Sequence, residues 1–237
     1  MIDLNLKILG SSSKGNCYIL KTSKETLILE CGLNYKEIQK GLNFELSNIV
    51  GCLVSHEHKD HSKSIKELTQ NSIKVYSGAG TFNRLGIENH NVNPVKALEQ
   101  FQIGDFIILP FDVQHDAAEP LGFLIQHPEF GKLLFATDTY YIKYQFDGLN
   151  HILVECNYSE KIIDRLLEEG KILETVYNRL KRSHLSLEKL KVFLNSNNLS
   201  DVYGIILLHL SDMNSDSNLF KEDIEKLTGI PVTIAGD

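Results

Sequence analysis

Residues 55–61 read SHEHKDH and follow directly on the apolar run IVGCLV at 49–54. A buried strand that ends on three histidines and an aspartate constrains the chain more than any other stretch. The cluster works as a cage only where the strand has ended and a loop turns its side chains inward. His56 and His58 then converge on one ion, and Asp60 and His61 point to a second. Borderline divalent metals take histidine and carboxylate ligands, and catalytic sites leave a position for water.

Further candidate ligands stand in the same setting, each just after an apolar segment. His115 follows FDVQ, Asp138 follows LLFAT and His209 follows GIILL. An aspartate such as Asp138 can bridge two ions, which completes a set of His56, His58, Asp60, His61, His115, Asp138 and His209 around two divalent metal ions. Zinc, manganese and iron all suit these donors.

Around these residues, β-rich segments are expected at 4–9, 17–21, 25–30, 49–55 and 72–76, with helices at 35–42 and 61–70 and a Gly-rich turn at 77–80. Strands follow at 104–110, 111–114, 122–127, 132–136 and 152–155. Residues 159–182 read as helical with a break near Gly170. Helices at 187–194 and 217–227, a strand at 204–208 and a last strand at 231–235 complete the pattern. There is no repeat and no clear linker, so 1–237 is read as one domain, two packed sheets with helices outside.

Composition narrows the class. A chain that is 42% hydrophobic can bury a core, while no apolar run approaches the ~20 residues that span a bilayer. The opening MIDLNLKILG lacks a signal-peptide pattern, so no membrane association and a cytoplasmic location are expected. The cysteines, Cys17, Cys31, Cys52 and Cys156, form no CxxC pair and read as buried, reduced thiols. The net charge of −7 argues against a cationic DNA coat. It leaves room for a nucleic-acid enzyme, because bound metals and a local basic rim such as Arg179, Lys181 and Arg182 supply the field.

HEHKDH followed in order by His115, Asp138 and His209 resembles the metallo-β-lactamase superfamily almost end to end. The resemblance implies an α/β fold, the αββα sandwich, with the site at one edge of the sheets. GSSSKGNCYIL, AAEPLGF, LVECNY, SHLS and LLHLSDMNS look like the YycJ/WalJ-type hydrolases of that superfamily, which are associated with DNA exonuclease activity from the 5′ end. The superfamily usually carries an aspartate where this chain has Glu30, and commonly a glycine where it has Ser183.

Two metals about 3.5–4 Å apart share a hydroxide and clamp the entering and leaving oxygens of a phosphodiester. Asp60 is placed both to bind an ion and to hold the nucleophile's proton. His184 is not needed as a ligand and is the candidate acid for the leaving alkoxide, with Glu155 to orient it. Ser11, Ser12, Ser13 and Asn16 are candidate phosphate donors, Lys14 and Lys59 candidate backbone contacts, and Ser211 and Asn214 candidate site-lining residues. The expected function is a dinuclear metallo-hydrolase acting on DNA. Alternatives are an RNA or small-molecule phosphodiesterase, a thioesterase or lactonase, and a non-catalytic metal-stabilised module that binds nucleic acid. Oligomeric state leaves no mark in the sequence.

Overall fold

The computed structural model of the chain describes residues 4–236. They divide into two compact units, one formed by the chain up to Asp112 with Ala117–Gly131, the other by Val113–Asp116 and Lys132–Ala235. The chain passes between the units more than once, which is why no single linker stands out in its composition.

The first unit holds a sheet of six strands in chain order: β1 (Leu6–Gly10), β2 (Cys17–Lys21), β3 (Thr26–Leu29), β4 (Ile49–Leu53), β5 (Val75–Gly78) and β6 (Val92–Val95). β1, β2 and β3 are antiparallel, and from β3 to β6 neighbours run parallel. Every residue of β3, TLIL, is buried, as expected for a parallel strand covered on both faces. Helices α1 (Tyr35–Gly41), α2 (Lys59–Ser62), α3 (Ile65–Gln70) and α4 (Ala79–Leu85) connect the strands. Ile19, Ile28, Ile38, Val54, Leu68 and Phe82 share one apolar core. The same unit carries antiparallel β7 (Phe101–Ile103), β8 (Phe106–Asp112) and β9 (Leu121–His127).

Several boundaries differ from the sequence reading. The single helix expected over 61–70 is split into α2 and α3. Ser62 Oγ donates to Glu57 O (2.8 Å) and Ser64 Oγ to Leu33 O (2.6 Å). Serine hydroxyls that take nearby carbonyls compete with a continuous helical ladder. The turn expected at 77–80 is instead the end of β5 and the start of α4, because Glu119 Oε2 accepts from Gly80 N (2.6 Å) and satisfies an orphan donor of the first turn. β6 escaped notice because Pro94 interrupts its β pattern, which an edge strand tolerates. The two segments expected at 104–110 and 111–114 are one strand, β8, entered through Gly104 at φ 56°.

In the second unit β10 (Gly131–Ala136), β11 (His151–Glu155), β12 (Gly204–Leu208) and β13 (Val232–Ile234) are parallel neighbours. Their register pairs Ala136 with Val154, and Glu155 with Leu208, so the carboxyl ends of three strands are level. The helices are α5 (Glu160–Glu168), α6 (Glu174–Ser183), α7 (Leu187–Asn195) and α8 (Ser217–Thr228). Gly170 at φ 65° makes the expected break between α5 and α6. Asp216 caps α8 by accepting from Leu219 N at 3.0 Å. All four cysteines are free and buried. No helix among the described residues is long and apolar enough to cross a membrane.

Candidate metal centre

In the first unit β3 and β4 run parallel with Leu29 opposite Leu53, so Glu30 and the loop beginning at Val54 leave the same sheet edge. Ser55 Oγ lies 2.8 Å from His56 Nδ1, which turns His56 Nε2 toward His58 Nδ1 at 2.9 Å. His61, in α2, has its Nε2 3.4 Å from Asp60 Oδ2 and its Nδ1 3.5 Å from Glu30 Oε2. Glu30 is completely buried, and its carboxylate also accepts from Ser55 N at 3.2 and 3.3 Å. Burial pushes the Glu30 carboxyl above its ordinary range, while His61 and Ser55 pull it back. The longer acid therefore does reach the far nitrogen of His61, and a left-handed backbone at φ 62° aims it there.

The SSSKGN hairpin is fastened to this loop. Asn16 N donates to Asp60 O (2.8 Å), Gly32 N to Asn16 O (2.9 Å) and Cys31 N to His61 O (2.8 Å). The buried Asn16 amide also donates to Ser12 O (3.1 Å) and Asp60 O (3.2 Å), and stands 3.2 Å from His61 Nε2. A Cβ on Gly32 would lie 1.6 Å from Asp60 O, so only glycine permits this approach. Of the hairpin residues singled out in the sequence, Asn16 clamps the loop and Ser11 Oγ pairs with Tyr18 OH at 2.7 Å. Ser12 Oγ accepts from Lys14 N at 3.2 Å, and Ser13 is exposed.

In the second unit the candidate ligands gather at the level carboxyl ends of the strands. His115 Nδ1 is 2.8 Å from Ser183 O, and a carbonyl only accepts, so the proton sits on Nδ1. Its Nε2 then faces Asp138 Oδ2 at 3.7 Å, while the other oxygen, Oδ1, faces His209 Nε2 at 3.8 Å. Burial pushes the His115 imidazole below its ordinary pKa, opposed by the Asp138 charge, which favours the neutral, ligating form. Asn157 Nδ2 holds His209 from behind, 3.1 Å from its Nδ1 and 2.8 Å from its carbonyl. Among the described residues, three of the seven non-glycine residues with positive φ are Glu30, Asp138 (φ 43°) and His209 (φ 54°). Backbone strain of this kind persists where surrounding structure holds a side chain in a required direction.

Glu155 closes β11 with its side chain fully buried. Its Oε1 is 2.5 Å from His184 Nδ1, and its Oε2 accepts from Thr139 N (2.9 Å) and Leu185 N (3.1 Å). The imidazole of His184 remains 16% exposed and stacks on His209 with ring centroids 5.4 Å apart. Ser211 and Asn214 are tied to each other, Asn214 Nδ2 to Ser211 Oγ at 2.9 Å, and to the chain after β11 through Ser211 N–Asn157 O and Ser159 N–Asn214 O. His127, set aside in the sequence, stacks on Phe130 and packs tilted against Phe106 in the first unit. Ser55 and Asn157, which brace His56 and His209, went unassigned. Their only signal was adjacency, one opening SHEHKDH and the other inside LVECNY.

Divalent ions fit these donors. Within the second unit, Asp138, Glu155, His184 and His209 each present a ligand atom, all within 4.8 Å of one another. Separations of 3.7 and 3.8 Å between Asp138 oxygens and imidazole nitrogens are too long for hydrogen bonds. Two metal–ligand bonds of about 2.0–2.2 Å span such gaps.

The sequence profile described as "Beta-lactamase superfamily domain" matches residues 31–189. Exodeoxyribonuclease YycJ of Bacillus anthracis is 26% identical over 242 residues, covering 94% of this chain and 89% of that protein. Exodeoxyribonuclease WalJ of Streptococcus pneumoniae is 26% identical over 177 residues, covering 68% of this chain and 65% of that protein. The crystal structure of the metallo-β-lactamase fold protein YhfI from Bacillus subtilis superposes with a TM-score of 0.70 at 12% identity, covering 98% of this chain and 97% of that one. The chain belongs to the β-lactamase superfamily and is a metal-dependent hydrolase of the metallo-β-lactamase fold.

Proposed function

We propose that the protein is a DNA exonuclease that hydrolyses phosphodiester bonds from the 5′ end with two divalent ions, zinc or manganese. In this reading both units belong to one catalytic domain acting in the cytoplasm. His56, His58, Asp60 and His61 are the proposed ligands of the first unit, and His115, Asp138 and His209 those of the second. Bound divalent ions acidify a water and draw negative charge from the phosphate. Asp60 takes the proton of the attacking water. His184 gives a proton to the leaving alkoxide oxygen, and Glu155 holds its ring on Nδ1 so that Nε2 is the donor.

The observation that carries this reading is the Glu155–His184 pair. Two backbone N–H groups and one imidazole fix a buried carboxylate, and the imidazole keeps an exposed edge. The thiolate that a thioesterase expels is weakly basic and needs no such acid, whereas the alkoxide that leaves a phosphodiester does. The names of the two bacterial relatives, both exodeoxyribonucleases, support DNA as the substrate. Metal-reconstituted protein, incubated with end-labelled single- and double-stranded DNA, RNA and a generic phosphodiester, tests the proposal. Stepwise release of mononucleotides from the 5′ end of DNA is expected. Turnover of the generic ester alone overturns it.

A further inference from the structure

The first unit holds a cavity of about 170 Å³ lined by Ser13, Lys14, Gly32, Lys59, Asp60 and Lys63. Lys14, Lys59 and Lys63 are exposed, and no ion pair is formed by any of them among the described residues. Three ammonium groups against one carboxylate, Asp60, around one concavity stand out in a chain of 24 basic and 31 acidic residues. Such a concavity focuses positive potential and attracts an anion.

The backbone from which these flexible side chains project is itself held in place. Lys14 sits in the hairpin whose Asn16 is bonded to Asp60 O through both its backbone and its side chain. Gly15, at φ 154°, has no room for a side chain, since a Cβ would lie 2.8 Å from Gly32 O. Lys59 and Lys63 flank α2, and the hydroxyl of Ser62 anchors that turn to Glu57 O and His58 O. The hairpin and α2 therefore hold the three lysines on either side of a wall that Gly32 keeps free of side chain.

We propose that this cavity is a phosphate subsite, in which Lys14, Lys59 and Lys63 take a non-scissile phosphate of the nucleic-acid substrate beside Asp60, with the Ser13 hydroxyl as a neutral donor. The inference rests on the nuclease reading and sharpens it. The phosphate is either the terminal monoester or an internal diester of the strand, and the chemistry of capture is the same for both.

Binding of the metal-loaded protein to phosphorothioate-linked single strands, one bearing a 5′-phosphate and one a 5′-hydroxyl, tests the subsite against salt concentration. Lys14→Gln/Lys63→Gln, and each single variant, are compared with Lys36→Gln, an exposed lysine of α1. The double variant is expected to bind about tenfold more weakly, with the slope of log K against log[salt] flattened by about 0.7 for a lost phosphate contact. A loss confined to the 5′-phosphorylated strand assigns the terminal monoester, and an equal loss on both assigns the internal diester. An affinity and slope indistinguishable from those of Lys36→Gln overturn the subsite, as does failure of the wild type to bind either strand. Lysine-dependent binding without cleavage of an ordinary DNA strand sinks the nuclease reading and leaves the subsite standing.

Discussion

The two units bring their candidate metal donors together in opposite ways. In the first, His56, His58, Asp60 and His61 lie within one loop and one short helix, and their supports, Ser55, Glu30 and Asn16, come from the same sheet edge. In the second, His115, Asp138, Glu155, His184 and His209 come from separate stretches of chain. Asp138, Glu155 and His209 meet because β10, β11 and β12 end level with one another, while His115 follows β8 and His184 follows α6. The loop is legible as a motif because covalent connectivity keeps its donors close. The dispersed set depends on strand register, and a one-residue slip sends every side chain to the opposite face. The first unit is thus the more robust to local change, and the second the more exposed to changes in packing.

The largest expected effect lies in the second unit. Asp138→Ala should lower turnover by about 10³-fold or more and reduce bound metal, read by steady-state kinetics and elemental analysis on the same sample. A variant with wild-type metal and turnover would remove Asp138 from the centre. Next, His184→Ala should cost about 10²–10⁴-fold in turnover, the range of a lost general acid, with metal content unchanged. Loss of metal in that variant would instead make His184 a ligand, the alternative that its proximity to Asp138 and His209 raises.

In the first unit Gly32→Ala forces a Cβ to within 1.6 Å of Asp60 O. Urea denaturation in the presence of chelator should show a loss of about 3 kcal/mol, the scale of overpacking in a tight site. Glu30→Gln keeps the shape but removes the charge behind His61 Nδ1, and metal affinity should fall by about 10–100-fold. Equal metal affinity in titration would mean that Glu30 braces Ser55 alone. The smallest effect is an absence of reaction. Burial pushes the Cys17, Cys52 and Cys156 thiols well above their ordinary range, so a thiol reagent should label none of them until the protein is unfolded.

The candidate metal loop is legible in the sequence because its spacing is local. His115, Asp138 and His209 stand out as candidates because each follows a segment that reads as a strand. Sequence reading placed the Gly170 break for the same kind of reason, since glycine alone adopts φ 65° there without cost. It missed β6 behind Pro94, and read 61–70 as one helix, because the deciding partners were distant. Leu33 O competes for Ser64, and Glu119 caps α4. It also left Asn16 as a phosphate donor, whereas the buried amide is spent on Ser12 and Asp60.

What the sequence by itself determined was the donor chemistry, imidazole and carboxylate at strand ends, together with the order in which those donors recur. What only the tertiary structure decided was the partner of each side chain. Glu30 reaches His61 because two parallel strands end together and its own backbone turns left-handed. His184 receives Glu155 because the turn after α6 brings it to the end of β11. The chain's polymer order fixes which groups are present. Their separation to within an ångström follows from hydrogen-bonded register between segments far apart in sequence, and no local pattern encodes it.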